Sequence, residues 1–228
     1  MAFVEGQTEQ EYLESLISHM GQNRDVRIDK NVARPIAEGE GALRVLKGYE
    51  AGGACSHYVC LLDTNGDGGV LSRLLESYAR IESSYHTILT MRDVYPKTGG
   101  DASRLMRSVE RTIEQKASKA KCVFAIPETE AWFIADDSHF ARIDSQLTSD
   151  LILQNTKYDI LKGDPEKISR PAKKLKDIYN LVQKTYNKKL SNVQRTVGAL
   201  DHDHMRSRNE SRLYGYGSLC PLIDSFFA

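Results

Sequence analysis

The sequence predicts an α/β protein, a mostly parallel sheet flanked by helices with a C-terminal helical extension, and three observations predict it. Short and nearly all-apolar runs, of which residues 57–62 are the clearest, have the composition of strands covered on both faces. Longer amphipathic stretches separate these runs, so strand and helix alternate along the first two thirds of the chain. Beyond about Asp137 helical spacing continues and no further strand is evident.

Taken in order, Met1 to Val4 is an apolar run that stops at Glu5-Gly6. Tyr12, Leu13, Leu16, Ile17 and Met20 then recur at helical spacing, so a helix is expected over 8–20. Thr8 followed by Glu11 fits a capping box, and Gly21 stands where a helix would stop. Residues 26–37 read as extended and 42–49 as helical, before a break at Gly52-Gly53. After the 57–62 strand come a helix over 70–81, a strand over 85–91, a helix over 102–116 and a strand over 122–126. Helices are expected at 145–154, 171–186 and 190–199. The division expected is a sheet domain over 1–140 and a helical extension over 141–228 packed on it.

Composition narrows the function classes. With 31 basic and 31 acidic residues among 228, the formal charge is zero, and no whole-molecule field draws the chain to nucleic acid or to an anionic membrane. A 40% hydrophobic share with 27% charged residues is that of a folded globular protein. Cys55, Cys60, Cys122 and Cys220 form no C-x-x-C pair, and Cys60 and Cys122 lie in apolar runs as small core residues. There is no signal-peptide pattern and no apolar run of about 18 residues, so a cytoplasmic protein without a membrane partner is expected.

Acids stand at the ends of the expected strands: Glu5 after the first, Asp63 after the third with Asn65 and Asp67 behind it, and Glu128 and Glu130 after the last. In a parallel sheet these positions share the carboxyl edge, where such folds bind ligands. Clustered carboxylates raise one another's pKa unless a cation neutralises them. Oxygen ligands unsupported by cysteine or histidine favour Mg²⁺ or Mn²⁺. The metal candidates are therefore Glu5, Asp63, Asn65, Asp67 and Glu130, whereas Glu9 and Glu11, in a first helical turn, read as capping residues.

The segment from Val4 to Glu9, then an amphipathic helix, then a hydrophobic strand ending in Asp63-Thr64-Asn65, resembles the Toprim domain of topoisomerases, DnaG-type primases and OLD-type nucleases. Residues 126–136 are similar to a segment of small stand-alone bacterial Toprim proteins, some of them associated with ATPases in anti-phage defence. The resemblance implies that Glu5 and Asp63 bind Mg²⁺ in a nuclease that cuts DNA or RNA, with an ATPase as a possible partner protein. Asn65 stands where the family usually has a second aspartate, which leaves open a one-metal enzyme or a binding subunit that has lost catalysis.

Further features are weighed on their residues. Lys119, Lys121 or an arginine from 206 to 212 could stabilise charge on a phosphoryl group, and Lys121 is taken as the catalytic candidate. Residues 151–190 hold ten Lys or Arg against four acids, so Lys173, Lys174 and Lys176, with Arg206 and Arg208, are candidate nucleic-acid contacts. Asp63 to Gly68 also fits the opening of an EF-hand loop, but Leu74 stands where the closing glutamate belongs and an apolar run stands where a helix should precede. Residues 201–204, Asp-His-Asp-His, read as a polar loop in preference to a zinc site, because no third ligand lies at a recognisable spacing.

Overall fold

The computed structural model describes residues 1–33, 55–66 and 68–228. The expected helix at 42–49 and the Gly52-Gly53 break lie outside the described residues, as does Asp67. Five parallel strands form one sheet in the order β2-β3-β1-β4-β5, with ten α-helices around it among the described residues. The strands are β1 (Ala2–Val4), β2 (Val26–Val32), β3 (His57–Asp63), β4 (Ile88–Asp93) and β5 (Ala120–Ala125). Between them run α1 (Gln7–Met20), α2 (Gly69–Ile81) and α3 (Gly99–Lys116).

All three residues of β1 are buried, because both edges of this strand are paired and both faces are covered. From β1 the chain moves outward to β2 and returns through β3, then crosses to β4 and β5 on the other side. The order therefore reverses at β1 and β4, the kind of place where open α/β sheets leave a crevice at their carboxyl ends. Residues 26–32 form a full strand, and β4 starts and ends later than the expected 85–91, reaching Asp93.

Helix α1 begins one residue earlier than expected and is capped differently. Gly6 is its cap, and Glu9 reaches back to accept the Gly6 N–H at 2.9 Å, so Glu9 does the capping and Thr8 lies inside the first turn. The helix is then tied to the sheet by Gln10, whose side-chain amide donates to the carbonyls of Asn31 and Leu61. Among the described residues Asp63 ends a strand and Leu74 is buried on α2, where an EF-hand would have a helix and a closing glutamate.

The described chain divides into two compact units, one of Met1–Arg92, Met106–Val123 and Leu222–Ala228, the other of Asp93–Leu105 and Phe124–Pro221. In the first unit Phe3, Val4, Leu13, Leu16, Leu61, Leu62 and Leu74 make the core. The second holds the short helices α4 (Glu130–Ala135), α5 (His139–Ile143), α6 (Ser149–Thr156), α7 (Pro171–Asn180), α8 (Leu190–Val197) and α9 (His202–Asn209). The last helix, α10 (Tyr214–Phe227), starts in the second unit and ends in the first. No helix among the described residues is long and apolar enough to cross a membrane.

The aromatic core of the second unit is built on Trp132, Phe133, Phe140, Tyr179, Tyr186 and Tyr216, each essentially inaccessible. Burying side chains of this size contributes about 2–3 kcal/mol each before entropy is charged. Two features specify how it packs. His139 Nδ1 lies 2.6 Å from the Asp136 carbonyl and Nε2 lies 3.1 Å from the Tyr179 hydroxyl, which in turn meets Thr196 Oγ1 at 3.1 Å. A carbonyl can only accept, so Nδ1 carries the proton and Nε2 accepts from Tyr179. Gly215 packs directly on the end of β5, where an added Cβ would come within 1.8 Å of the Phe124 carbonyl oxygen and 2.9 Å of the Trp132 ring.

Two predictions follow from this packing. Gly215→Ala should cost roughly 3 kcal/mol, the upper end of overpacking penalties, because the obstacle is backbone; an unchanged urea midpoint would contradict the close packing. Burial pushes the His139 pKa down from 6.5 to about 4. The neutral ring thus stabilises the fold fully above pH 6.5, and that contribution, up to about 3 kcal/mol, is lost as pH falls from 6.5 toward 4. Urea titrations across that window should show the loss in the native chain and a shallower slope in His139→Gln.

Candidate metal centre

Beyond the ends of β4 and β5 the two chains stay hydrogen-bonded. Val94 N–H donates to the carbonyls of Ala125 and Pro127 at 3.0 Å, and Tyr95 N–H donates to Pro127 at 2.8 Å. This continued pairing holds Asp93, the last residue of β4, beside Glu128 and Glu130, which follow β5. Thr129 locks the approach: its N–H and its hydroxyl both donate to Asp93 Oδ1 at 3.0 Å. Asp93, Glu128 and Glu130 each offer one carboxylate oxygen to a group whose members all lie within 4.8 Å of one another. Among the described residues it is the one group of three or more such ligands at that spacing.

Each carboxylate is fixed by its own donor. Asp93 is held by Thr129, leaving Oδ2 toward the centre. Glu128 Oε2 accepts the Ala172 N–H at 3.2 Å, in the first turn of α7, where Arg170 supplies no side-chain cap. The positive end of that helix favours a carboxylate. Glu130 Oε1 accepts the Tyr186 hydroxyl at 2.9 Å, while Oε2 accepts no hydrogen bond among the described residues although Glu130 is 0% exposed. Into the middle of the group projects Lys188, half-exposed, with Nζ 4.0 Å from Asp93 Oδ2, 3.7 Å from Glu128 Oε1 and 3.6 Å from Glu130 Oε1.

Three carboxylates and one ammonium carry a formal charge of −2. Desolvation raises the pKa of Glu130 and the nearby Glu128 carboxylate raises it further, while Lys188 and the Tyr186 hydroxyl oppose the rise. A buried negative cluster of this kind could hold a metal ion. An octahedral Mg²⁺ needs opposite oxygens ~4.2 Å apart and adjacent ones ~3 Å apart, so oxygens as much as 4.8 Å apart would draw closer around it.

The acids expected from the sequence do not all belong to this group. Glu130 belongs to the group, together with Glu128. Glu5 and Asp63 lie in the first unit, and the group contains neither. The register sets Asp63 opposite Val4, and the loop after it wraps over the end of β1, with Thr64 N–H donating to Val4 and Gly66 N–H to Glu5 at 2.8 Å. Glu5 Oε1 faces Arg92 Nε at 3.7 Å. Asp63 Oδ1 accepts the Asn65 N–H at 2.8 Å, and burial pushes its pKa up against that hydrogen bond. Asn65 itself adopts a left-handed conformation, φ 59°, as the turn requires.

The basic candidates are also placed. Lys121 is exposed at the second position of β5, the amino end of that strand, whereas Glu128 and Glu130 follow its carboxyl end. Helix α7 turns Leu175, Ile178 and Tyr179 inward and leaves Lys173 and Lys176 exposed. Lys173 pairs with Asp177 at 2.7 Å, and Lys174 donates to the Thr156 carbonyl at 3.2 Å. Arg206 meets Glu210 at 3.1 Å, and Arg208 meets Asp137 at 2.7 Å and the Leu161 carbonyl at 2.7 Å. Residues 202–209 form a helix capped by Asp201, so the expected polar loop is helical, with His204 Nε2 3.0 Å from Asp137.

Sequence reasoning missed Asp93 and Lys188. The rule that an acid ending an apolar strand marks a ligand edge applies to Asp93 as it does to Asp63, but Arg92 interrupts the apolar pattern and ends the expected strand too early. Nothing local distinguishes Lys188 from its lysine neighbours.

Fold and centre together define an α/β protein with a parallel sheet and a buried three-carboxylate group suited to a cation. The chain belongs to the family described as a domain of unknown function, DUF4276, whose model matches residues 4–212. No curated protein and no solved structure matches it.

The charge balance yields a prediction. A carboxylate whose folded pKa lies above its unfolded one costs stability once the pH exceeds the unfolded value. Glu130→Gln, which keeps an acceptor for Tyr186, should raise the melting temperature of metal-free protein at pH 8 and leave it nearly unchanged at pH 4. Equal effects at both pH values would contradict a raised Glu130 pKa.

Proposed function

We propose that the chain is a divalent-metal-dependent phosphodiesterase acting on DNA or RNA, with Asp93, Glu128 and Glu130 as the ligands of Mg²⁺ or Mn²⁺. The observation that carries this reading is the convergence of three buried carboxylates, each steadied by its own donor, on a point already occupied by a cationic nitrogen. Anchored ligands reduce the ordering cost of binding and set the geometry before substrate arrives. The all-oxygen ligand set supports a hard ion. Such an ion would supply a water of lowered pKa and neutralise charge on a phosphoryl group. The exposed lysines of α7, Lys173 and Lys176, support contact with a phosphate backbone. The Toprim-like sequence at Glu5 and Asp63 supports the same reaction class.

A second reading, a catalytically weak binding subunit of an ATPase complex, is favoured by Lys188, which already supplies part of the neutralising charge. Plasmid, single-stranded DNA and RNA incubated with the purified chain in Mg²⁺, Mn²⁺ or EDTA separate the two. The first reading expects cleavage in metal, none in EDTA, and a loss of at least about 100-fold in Asp93→Asn, in line with removal of a metal ligand. Asp63→Ala in the same assay tests whether the strand-end acids of the first unit contribute. Cleavage equal in EDTA and Mg²⁺ would sink the metal-dependent reading. Cleavage that appears only once a partner ATPase is added would establish the second.

A further inference from the structure

We propose that Lys188 is a tethered counter-ion that holds the three-carboxylate centre until a divalent cation displaces it, so that binding is an exchange of an ammonium for a metal ion. The inference rests on the reading of Asp93, Glu128 and Glu130 as a cation centre. Three features of the chain carry it.

The first is position. Lys188 Nζ is nearly equidistant from one oxygen of each carboxylate, at 4.0, 3.7 and 3.6 Å, which is where a shared cation would be attracted. These distances exceed the ~2.8 Å of a charge-assisted hydrogen bond, so attraction to the three acids is Coulombic.

The second is independence. Thr129 holds Asp93, the Ala172 N–H holds Glu128 and the Tyr186 hydroxyl holds Glu130, so the carboxylates keep their places when the ammonium leaves. Glu130 Oε2, fully buried and accepting no hydrogen bond among the described residues, is a ligand atom that the ammonium does not satisfy.

The third is exposure of the right member. Lys188 sits in the segment between α7 and α8 with its side chain half-exposed, whereas Tyr186, two residues earlier, is buried and packed edge-to-face on Tyr179 at 6.2 Å. The half-exposed lysine thus has a route to solvent, whereas Tyr186 anchors the backbone beside it. Exchange then follows from charge: the ammonium leaves the centre at −2, and a divalent ion in its place leaves it at −1.

Mn²⁺ titration calorimetry and thermal unfolding on the native chain, Lys188→Met and Lys188→Arg test the exchange. Lys188→Met should melt lower than the native chain without metal, bind Mn²⁺ roughly tenfold more tightly because no ion pair has to be broken, and gain more in melting temperature from Mn²⁺. Lys188→Arg should stay near the native values. Equal or weaker Mn²⁺ binding by Lys188→Met overturns the exchange while leaving the metal centre standing, whereas absence of binding in all three proteins overturns the metal centre and the exchange with it. Should Lys188→Met fail to fold, acetylation of Lys188 in the native chain, followed by peptide mass spectrometry, gives the answer. Its rate should rise severalfold when Mg²⁺ is added, and an unchanged rate overturns the exchange.

Discussion

Three carboxylates buried around one point repel one another, and the second unit has to be built so that this repulsion is met. Asp93, Glu128 and Glu130 lie within 4.8 Å at their ligand oxygens. At such separations like charges in a partly desolvated setting cost several kcal/mol unless protons, cations or oriented dipoles offset them. All three devices are present. Glu130 has a raised pKa, Lys188 supplies an ammonium, and the first turn of α7 and the Thr129 and Tyr186 groups supply oriented N–H and O–H dipoles. A protein with no use for such a cluster gains nothing from these arrangements, since apolar residues of similar volume would pack there at less expense.

The backbone brings the group together through continued pairing past the ends of β4 and β5, with no long-range loop required. Trp132 and Phe133 in α4 bury the helix that carries Glu130, and Gly215 lets α10 approach the end of β5 closely enough to seal it. Packing therefore fixes where the acids stand, and the hydrogen bonds fix which oxygen each of them turns inward. A side chain so determined moves little, and Lys188 is the half-exposed member of the centre.

Much of the fold was legible in the sequence, for a physical reason. Residues 57–62 and 122–126 are short runs nearly all apolar on both alternations, as doubly covered strands are, and Leu13, Leu16 and Ile17 recur at the helical period. The strand order was not legible, because periodicity reports which face is buried and not which strand lies beside it. The end of β4 was lost at Arg92, which is partly buried against Glu5 and so breaks the pattern that marks a strand. Glu130 could be found from its place after β5. Lys188 could not, since its partners stand 58 to 95 positions away in the chain and only the folded structure joins them.

The central claim is that Asp93, Glu128 and Glu130 together ligate a divalent ion. Anomalous diffraction at the manganese edge from crystals soaked in Mn²⁺ tests it most directly. The account predicts a peak about 2.2 Å from a carboxylate oxygen of each of the three residues, with Lys188 Nζ moved out toward solvent. A peak at Glu5 or Asp63 alone, or no peak with the ammonium still seated among the three acids, would contradict it.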